Sequence, residues 1–306
     1  MVDRPLRHYR GRFAPSPTGP LHFGSLIAAL ASFLDARSQG GEWLVRMEDL
    51  DPPREVPGAA DDILRTLEGF GLHWDGEVVY QSRRADAYEA ARGELAARGA
   101  LYACACTRKE ILRTARPGRY GPVYAGTCRE GLPEGRKARS LRVRVDGARV
   151  AYTDLLLGDF TEDLATEVGD FIVRRADGLT SYQLAVVVDD AWQGVTHVVR
   201  GGDLLGSTAR QIHLQGLLGL PRPAYLHLPV ATDADGAKLS KQTGAAPVDL
   251  ARAPRWLVAA LQFLGQDTPT DLAGSGVEEI LAWAIRHWAR EKIYARIPSE
   301  RITGID

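Results

Sequence analysis

The chain has 306 residues and a formal net charge of -1, from 38 Lys plus Arg against 39 Asp plus Glu. At about 150 residues per domain this allows roughly two domains, or one large domain with an insertion. With 45% apolar and 25% charged residues, the composition disfavours wholesale disorder and rules out a uniformly basic nucleic-acid coat, so any RNA contact must come from a local patch.

In chain order, a short strand is expected at about Tyr9 to Phe13, running into the turn APSPTGPLHFG. Leu26, Ile27, Leu30, Phe33 and Leu34 then recur at helical spacing, which predicts a helix over Ser25 to Ser38. WLVRMED (43–49) reads as a second strand ending in acids. PGAADDILRTLEGFG (57–71), with Pro near its start and Gly at its end, reads as a helix. Residues 83–98 predict another helix and Leu101 to Ala103 a short strand. From Cys104 to about Arg139 the pattern breaks into Gly, Pro, Arg and Tyr, as an inserted module would. SLRVRV (140–145), RVAYTD (149–154) and FIVRR (171–175) alternate like antiparallel strands. QLAVVVDD (183–190) and THVVRG (196–201) return to the buried style of an α/β layer. Helices are expected around 207–218, 254–265 and 277–289. Strand, helix, strand at the start implies a parallel sheet with right-handed crossovers.

The N-terminus, MVDRPLRHYR, lacks the apolar stretch of a signal peptide. The run LIAALASFL (26–34) falls short of the roughly 20 residues that span a bilayer. A cytoplasmic protein with no membrane association is the expectation.

Two segments point to phosphate chemistry. PSPTGPLHFGS (15–25) bends the chain sharply between strand and helix, placing backbone amides and His22 where a helix dipole favours an anion. GAKLSKQTG (236–244) carries two of the five lysines of the chain, three apart, with Ser240 between them. Lys238 and Lys241 would stabilise charge growing on a leaving pyrophosphate, without any nucleophilic side chain.

PLHFG followed far downstream by KLSKQ resembles the HIGH and KMSKS signatures of class I aminoacyl-tRNA synthetases. GRFAPSPTGPLHFGSL, VRMEDLDPPR, YQLAVVVDD and VTHVVRGGDLL are similar to the glutamyl-tRNA synthetase group over most of residues 10–245. Two positions depart from the signatures: Ser25 stands for the last His of HIGH, and Gln242 for the last Ser of KMSKS. The resemblance implies a Rossmann-like parallel-sheet catalytic domain of the α/β class over 1–245, interrupted by an insertion at about 102–180. A short helical C-terminal stem would fill 246–306. It also implies ATP as substrate, with Mg²⁺, at His22, Gly24, Lys238, Ser240 and Lys241.

A glutamate substrate brings two carboxylates and an ammonium. Arg12 and Arg200, near predicted strand ends, can each fork a carboxylate, and Glu48 can pair with the ammonium. In the resembling family the matching positions Arg12, Ala14, Ser16, Glu48, Tyr182 and Arg200 contact L-glutamate. Asp49 and Asp51 are expected to be caps or ion-pair partners.

All three cysteines, Cys104, Cys106 and Cys128, lie within 25 residues of one another. Three thiolates suit one structural Zn²⁺, which wants a fourth ligand and would staple a glycine-rich module. From the residues alone the fourth place is open among Tyr124, Tyr120, water and a distant His. Cys-x-Cys followed by Tyr and Cys four apart resembles a truncated branch of the glutamyl-tRNA synthetase family, which implies Tyr124. That branch lacks the anticodon-binding domain and attaches glutamate to the queuosine base at the wobble position of tRNA(Asp). Only about 60 residues follow the KLSKQ loop, in keeping with such a branch. The expected partner is then a queuosine-containing tRNA(Asp) anticodon loop, whose splayed bases a protein can grip. Arg108, Lys109, Arg113, Arg116, Arg119, Arg136, Lys137 and Arg139 form a candidate phosphate-contacting patch. A truncated synthetase charging a tRNA 3′ end, another nucleotidyl transferase with the same turn, and a non-catalytic RNA-binding paralogue are the alternatives.

Overall fold

The structure, a computed structural model, describes residues 8–231 and 246–294. The chain begins β1 (Arg10–Phe13), α1 (Phe23–Arg37), β2 (Glu42–Met47), α2 (Ala59–Gly69), β3 (Val79–Tyr80) and α3 (Ala85–Ala97). The middle comprises β4 (Leu101–Cys104), α4 (Arg108–Thr114), β5 (Arg116–Gly118), β6 (Gly121–Val123), β7 (Ser140–Val143), β8 (Arg149–Asp154), β9 (Gly158–Asp163), α5 (Leu164–Glu167) and β10 (Phe171–Arg174). Then follow α6 (Tyr182–Trp192), β11 (His197–Gly201), α7 (Thr208–Leu218), β12 (Ala224–Leu228), α8 (Ala253–Phe263), α9 (Val277–His287) and α10 (Arg290–Tyr294).

β1 pairs in parallel with β2, and β2 with β3. β11 pairs in parallel with β12, which meets β8 in parallel through Tyr225 and Asp154. The two groups lie side by side, because the Thr196 N–H donates to the Arg10 carbonyl at 2.9 Å just ahead of β11. Parallel strands need crossovers, and α1 supplies the first. Its Leu26, Ile27, Leu30, Phe33 and Leu34 are all buried, each contributing roughly 1.5–3 kcal/mol of gross transfer free energy. Leu257, Leu261, Ile280 and Leu281 of α8 and α9 pack into the same core, so the described C-terminal helices cover α1. Between α1 and β2 the chain passes so close to Tyr9 that a Cβ on Gly41 would meet its carbonyl oxygen at 2.5 Å, which reserves the position for glycine.

The α/β parallel-sheet reading of the sequence therefore holds. Three local features go beyond the sequence reading. The run 183–190, whose sequence suits strand and helix alike, is the helix α6, long enough to bury Leu184, Val186 and Val187 in a second core. The stretch 104–139 is more ordered than its Gly and Pro content implies. Thr107 and Glu110 close a capping box that starts α4, and Gly118 pairs with Gly121 in the β5–β6 hairpin. β9, whose sequence GDFTED is too polar to read as a strand, runs antiparallel to β8 along the edge of the sheet. Among the described residues, no helix is long and apolar enough to cross a membrane.

Candidate functional site

The proline-bent turn folds as a cradle between β1 and α1. Gly19 takes φ +132°, a conformation that side chains resist. The Glu48 amide donates to the Pro15 carbonyl at 2.9 Å, fastening the turn to the end of β2. The result borders a cleft of about 570 Å³ lined by Ser16, His22, Gly24, Ser25 and Asp203. His22 is the N-cap of α1: its Nδ1 accepts from the Ser25 amide at 3.4 Å, and its Nε2 lies 3.1 Å from Ser25 Oγ. The residue that departs from the HIGH signature thus faces both ring nitrogens. Lys238, Ser240 and Lys241 lie outside the described residues. The described chain on either side borders the cleft: Val230 and Ala231 line it, and Pro247 bridges to His22.

Arg12, Glu48 and Arg200 stand at the carboxyl ends of β1, β2 and β11, where ligands sit in open α/β sheets. Tyr182 opens α6 beside them. Burial pushes its phenol up, opposed by the charge of Arg200 and reinforced by that of Glu48. Ala14 and Ser16 follow β1 into the turn. Sequence reasoning missed the groups that hold these residues. Arg12 Nε lies 3.3 Å from Asp190 Oδ1, and Arg46 Nη1 lies 2.8 Å from the same oxygen. Arg46 Nη2 lies 3.4 Å from Glu48, and its Nη1 donates to Gln193 Oε1 at 2.7 Å. Burial alone would raise the Asp190 carboxyl, but Arg12 and Arg46 outweigh it and hold it below the usual range. Burial wins at Glu48, whose carboxyl is raised despite Arg46 and Arg12. The residue types of this network stand out in the sequence, as two acids closing an apolar run (Asp189, Asp190) and a lone arginine inside an apolar strand (Arg46), but their pairing does not.

Arg200 is held differently. Its Nη1 donates to Gln211 Oε1 at 2.8 Å and to the Tyr182 hydroxyl at 3.3 Å, and its Nη2 donates to Thr208 Oγ1 at 2.9 Å. Its Nε donates to His227 Nε2 at 3.0 Å. Asp49 accepts from the Ser82 amide at 2.8 Å, and Asp51 pairs with Arg54 and, at 3.2 Å, with Arg175, so both are structural partners.

The metal candidates converge. The sulfurs of Cys104, Cys106 and Cys128 lie within 4.8 Å of one another, with Cys106 and Cys128 at 3.6 Å. Tyr124 Oη is 3.4 Å from both Cys104 Sγ and Cys106 Sγ, and accepts from the Cys128 amide at 3.0 Å. Metal–sulfur bonds of 2.3 Å and a metal–oxygen bond near 2.0 Å in a tetrahedron would set neighbouring ligands about 3.5–3.8 Å apart, so the donor set fits a zinc-sized ion. Burial pushes the Cys104 thiol up, yet the Tyr124 hydroxyl and the Arg142 guanidinium outweigh it and bring it to about 7. Tyr120, the other tyrosine weighed for the fourth place, instead donates to Glu162 Oε1 at 3.1 Å. Of the basic patch, Arg136 pairs with Glu110 and Arg119 with Glu167, while Arg108, Lys109, Arg113, Lys137 and Arg139 are exposed.

A parallel sheet with an anion cradle at its first crossover, and charged groups at its strand ends, is the frame of a nucleotide-binding α/β fold, and here it is a class I tRNA synthetase catalytic domain. The family described as tRNA synthetases class I (E and Q), catalytic domain, matches residues 8–263. The glutamyl-Q tRNA(Asp) synthetase of Dechloromonas aromatica is 59% identical over 287 residues, covering 93% of this chain and 95% of that relative. The protein of the same description from Aromatoleum aromaticum is 56% identical, over 98% of this chain and 95% of its own. At that identity over nearly the whole length, the chain belongs to the glutamyl-Q tRNA(Asp) synthetase family. In fold it is similar to a glutamate-tRNA synthetase from Elizabethkingia anophelis, with a TM-score of 0.78, 24% identity and coverage of 98% of this chain and 70% of that one.

Proposed function

We propose that the chain activates L-glutamate with ATP and transfers it to the queuosine base at the wobble position of tRNA(Asp), in the cytoplasm. The observation that carries the amino-acid half is the grouping of Arg12, Arg200 and Glu48 at neighbouring strand ends with Tyr182 at the start of α6, two cations and one anion that complement an acidic amino acid. Membership of the family supports the acceptor half.

In the first step a glutamate carboxylate oxygen attacks the α-phosphorus of ATP. The new acyl–phosphate bond forms as the bond to pyrophosphate breaks. Class I synthetases use Mg²⁺ with ATP, which neutralises phosphate charge. His22 and Gly24 would border the triphosphate, and Lys238, Ser240 and Lys241 would meet the departing pyrophosphate. Arg12 and Arg200 would fork substrate carboxylates, Glu48 would take the ammonium, and Ala14 and Ser16 would bring backbone close to the substrate. In the second step a hydroxyl of the modified base attacks the acyl carbon, AMP leaves, and the hydroxyl proton passes to the released phosphate or solvent. No protein nucleophile is needed, so positioning supplies most of the acceleration. Cys104, Cys106, Cys128 and Tyr124 would hold a structural Zn²⁺ that rigidifies the module carrying Arg108, Lys109 and Arg113, which would face tRNA phosphates.

Incubation with labelled glutamate, ATP and bulk tRNA, followed by nuclease digestion, tests this reading. Label on the queuosine nucleotide, lost when the tRNA lacks queuosine, is expected; label on a 3′-terminal adenosine would overturn it. Lys241→Ala is expected to abolish most glutamate-dependent pyrophosphate exchange.

A further inference from the structure

We propose that His227 and Asp154 are positioning residues of the amino-acid site: together they fix the Arg200 guanidinium and leave its positive charge uncompensated for a substrate carboxylate. This rests on the glutamate-binding role given to Arg200 above.

Three arginines are buried around the site, and two of them have a carboxylate. Arg12 and Arg46 share Asp190. Arg200 is only 4% exposed, and its hydrogen-bond partners among the described residues are His227, Tyr182, Gln211 and Thr208, none of them a carboxylate. A buried charge without a counterion is costly, so a site that keeps one has a use for it when an anion binds. Asp154 could have supplied the counterion, but an imidazole stands between. His227 Nδ1 lies 2.7 Å from Asp154 Oδ2, while its Nε2 receives the Arg200 Nε–H.

The protonation pattern follows from the partners. Arg200 cannot give up its proton, so His227 Nε2 carries none and accepts. Nδ1 therefore holds the hydrogen and donates it to Asp154. Burial disfavours the imidazolium, and the neighbouring Arg200 charge does so too, against the pull of Asp154 and, more weakly, of Asp203. Asp154 is itself clamped: its Oδ1 accepts from the Leu156 and Leu157 amides, both at 3.0 Å. It ends β8 and reaches the parallel sheet beside Tyr225 of β12. The segment between the two halves of the fold thus determines how an arginine on β11 is presented. Thr208 Oγ1, 3.2 Å from His227 Nε2, completes the cage.

The test is glutamate-dependent pyrophosphate exchange, with KM measured separately for glutamate and for ATP. His227→Leu removes the acceptor at similar volume and is expected to raise the glutamate KM about tenfold to a hundredfold, the effect of losing a hydrogen bond to a charged group. The ATP KM should stay within about threefold. His227→Gln restores an acceptor and is expected to recover most of the loss. His227→Glu sets a carboxylate against Arg200 and is expected to affect glutamate most, narrowing the preference for glutamate over glutamine. If His227→Leu does not fold, the ordering of His227→Gln and His227→Glu decides. Equal glutamate KM values across the folded variants, or glutamate and ATP values rising together, would overturn the positioning role. Wild-type protein showing no glutamate-dependent exchange would instead overturn the functional reading on which it rests.

Discussion

Asp190→Asn is the sharpest probe of the buried charge network. Asp190 Oδ1 serves Arg46 at 2.8 Å and Arg12 at 3.3 Å, and the three side chains are 0–8% exposed. Arg46 would keep Gln193 Oε1 at 2.7 Å and Glu48 at 3.4 Å, but neither matches a shared carboxylate, and its Nε has no hydrogen-bond partner among the described residues. Removing one partner of a buried ion pair costs about 3–5 kcal/mol, because the remaining charge stays desolvated. Asparagine keeps one acceptor oxygen, so a loss near 3 kcal/mol is expected in urea denaturation at neutral pH. The double substitution Arg46→Met with Asp190→Asn removes the stranded cation. It should therefore be less destabilised than the two single variants added together, by about 1–3 kcal/mol. The pH dependence adds a second constraint. The folded Asp190 carboxyl titrates below its ordinary value of 3.8, so its contribution is fully present above that value and fades only as pH falls through the lower folded one. The gap between wild type and Asp190→Asn should accordingly be flat from pH 8 to neutrality, below which Glu48, whose carboxyl Asp190 helps to raise, adds its own titration. A variant within about 1 kcal/mol of wild type, or strictly additive singles, would refute the reasoning.

Glu48 should show the opposite behaviour in binding. Burial raises its carboxyl above the ordinary 4.5, so it takes up a proton in mild acid before an exposed glutamate would. The glutamate KM is then expected to rise as pH falls toward that raised value, while Glu48→Gln has a high KM with a flatter profile; an unchanged wild-type KM down to the ordinary value of 4.5 would count against Glu48 as the ammonium's partner. At the cysteine cluster, Cys104→Ser is expected to lower bound zinc well below one per chain and the melting temperature by about 5 °C or more, at roughly 2–4 °C per kcal/mol for a large domain. Metal analysis and a thermal melt check both, and full zinc content in the variant would refute the ligand set.

How much of this was legible follows from the range over which each signal acts. Helical spacing in α1 is local, and Leu26 to Leu34 announced a buried helix whose core position the structure bears out. Thr107 and Glu110 were equally local, a capping box three residues apart, yet the surrounding Gly and Pro hid it. Arg12, Glu48, Tyr182 and Arg200 could be chosen because substrate chemistry names the residue types. Nothing in one dimension says that Asp190, 178 positions from Arg12, will share its oxygen with Arg46. The same holds for His227, a buried histidine of β12. Its meaning depends on what lies on either side of the ring, a carboxylate from β8 and a guanidinium from β11. Residue types that touch a substrate can be inferred from the substrate. Those that orient them answer only to the fold, and in this chain they are the buried polar groups whose partners come from strands far apart in sequence.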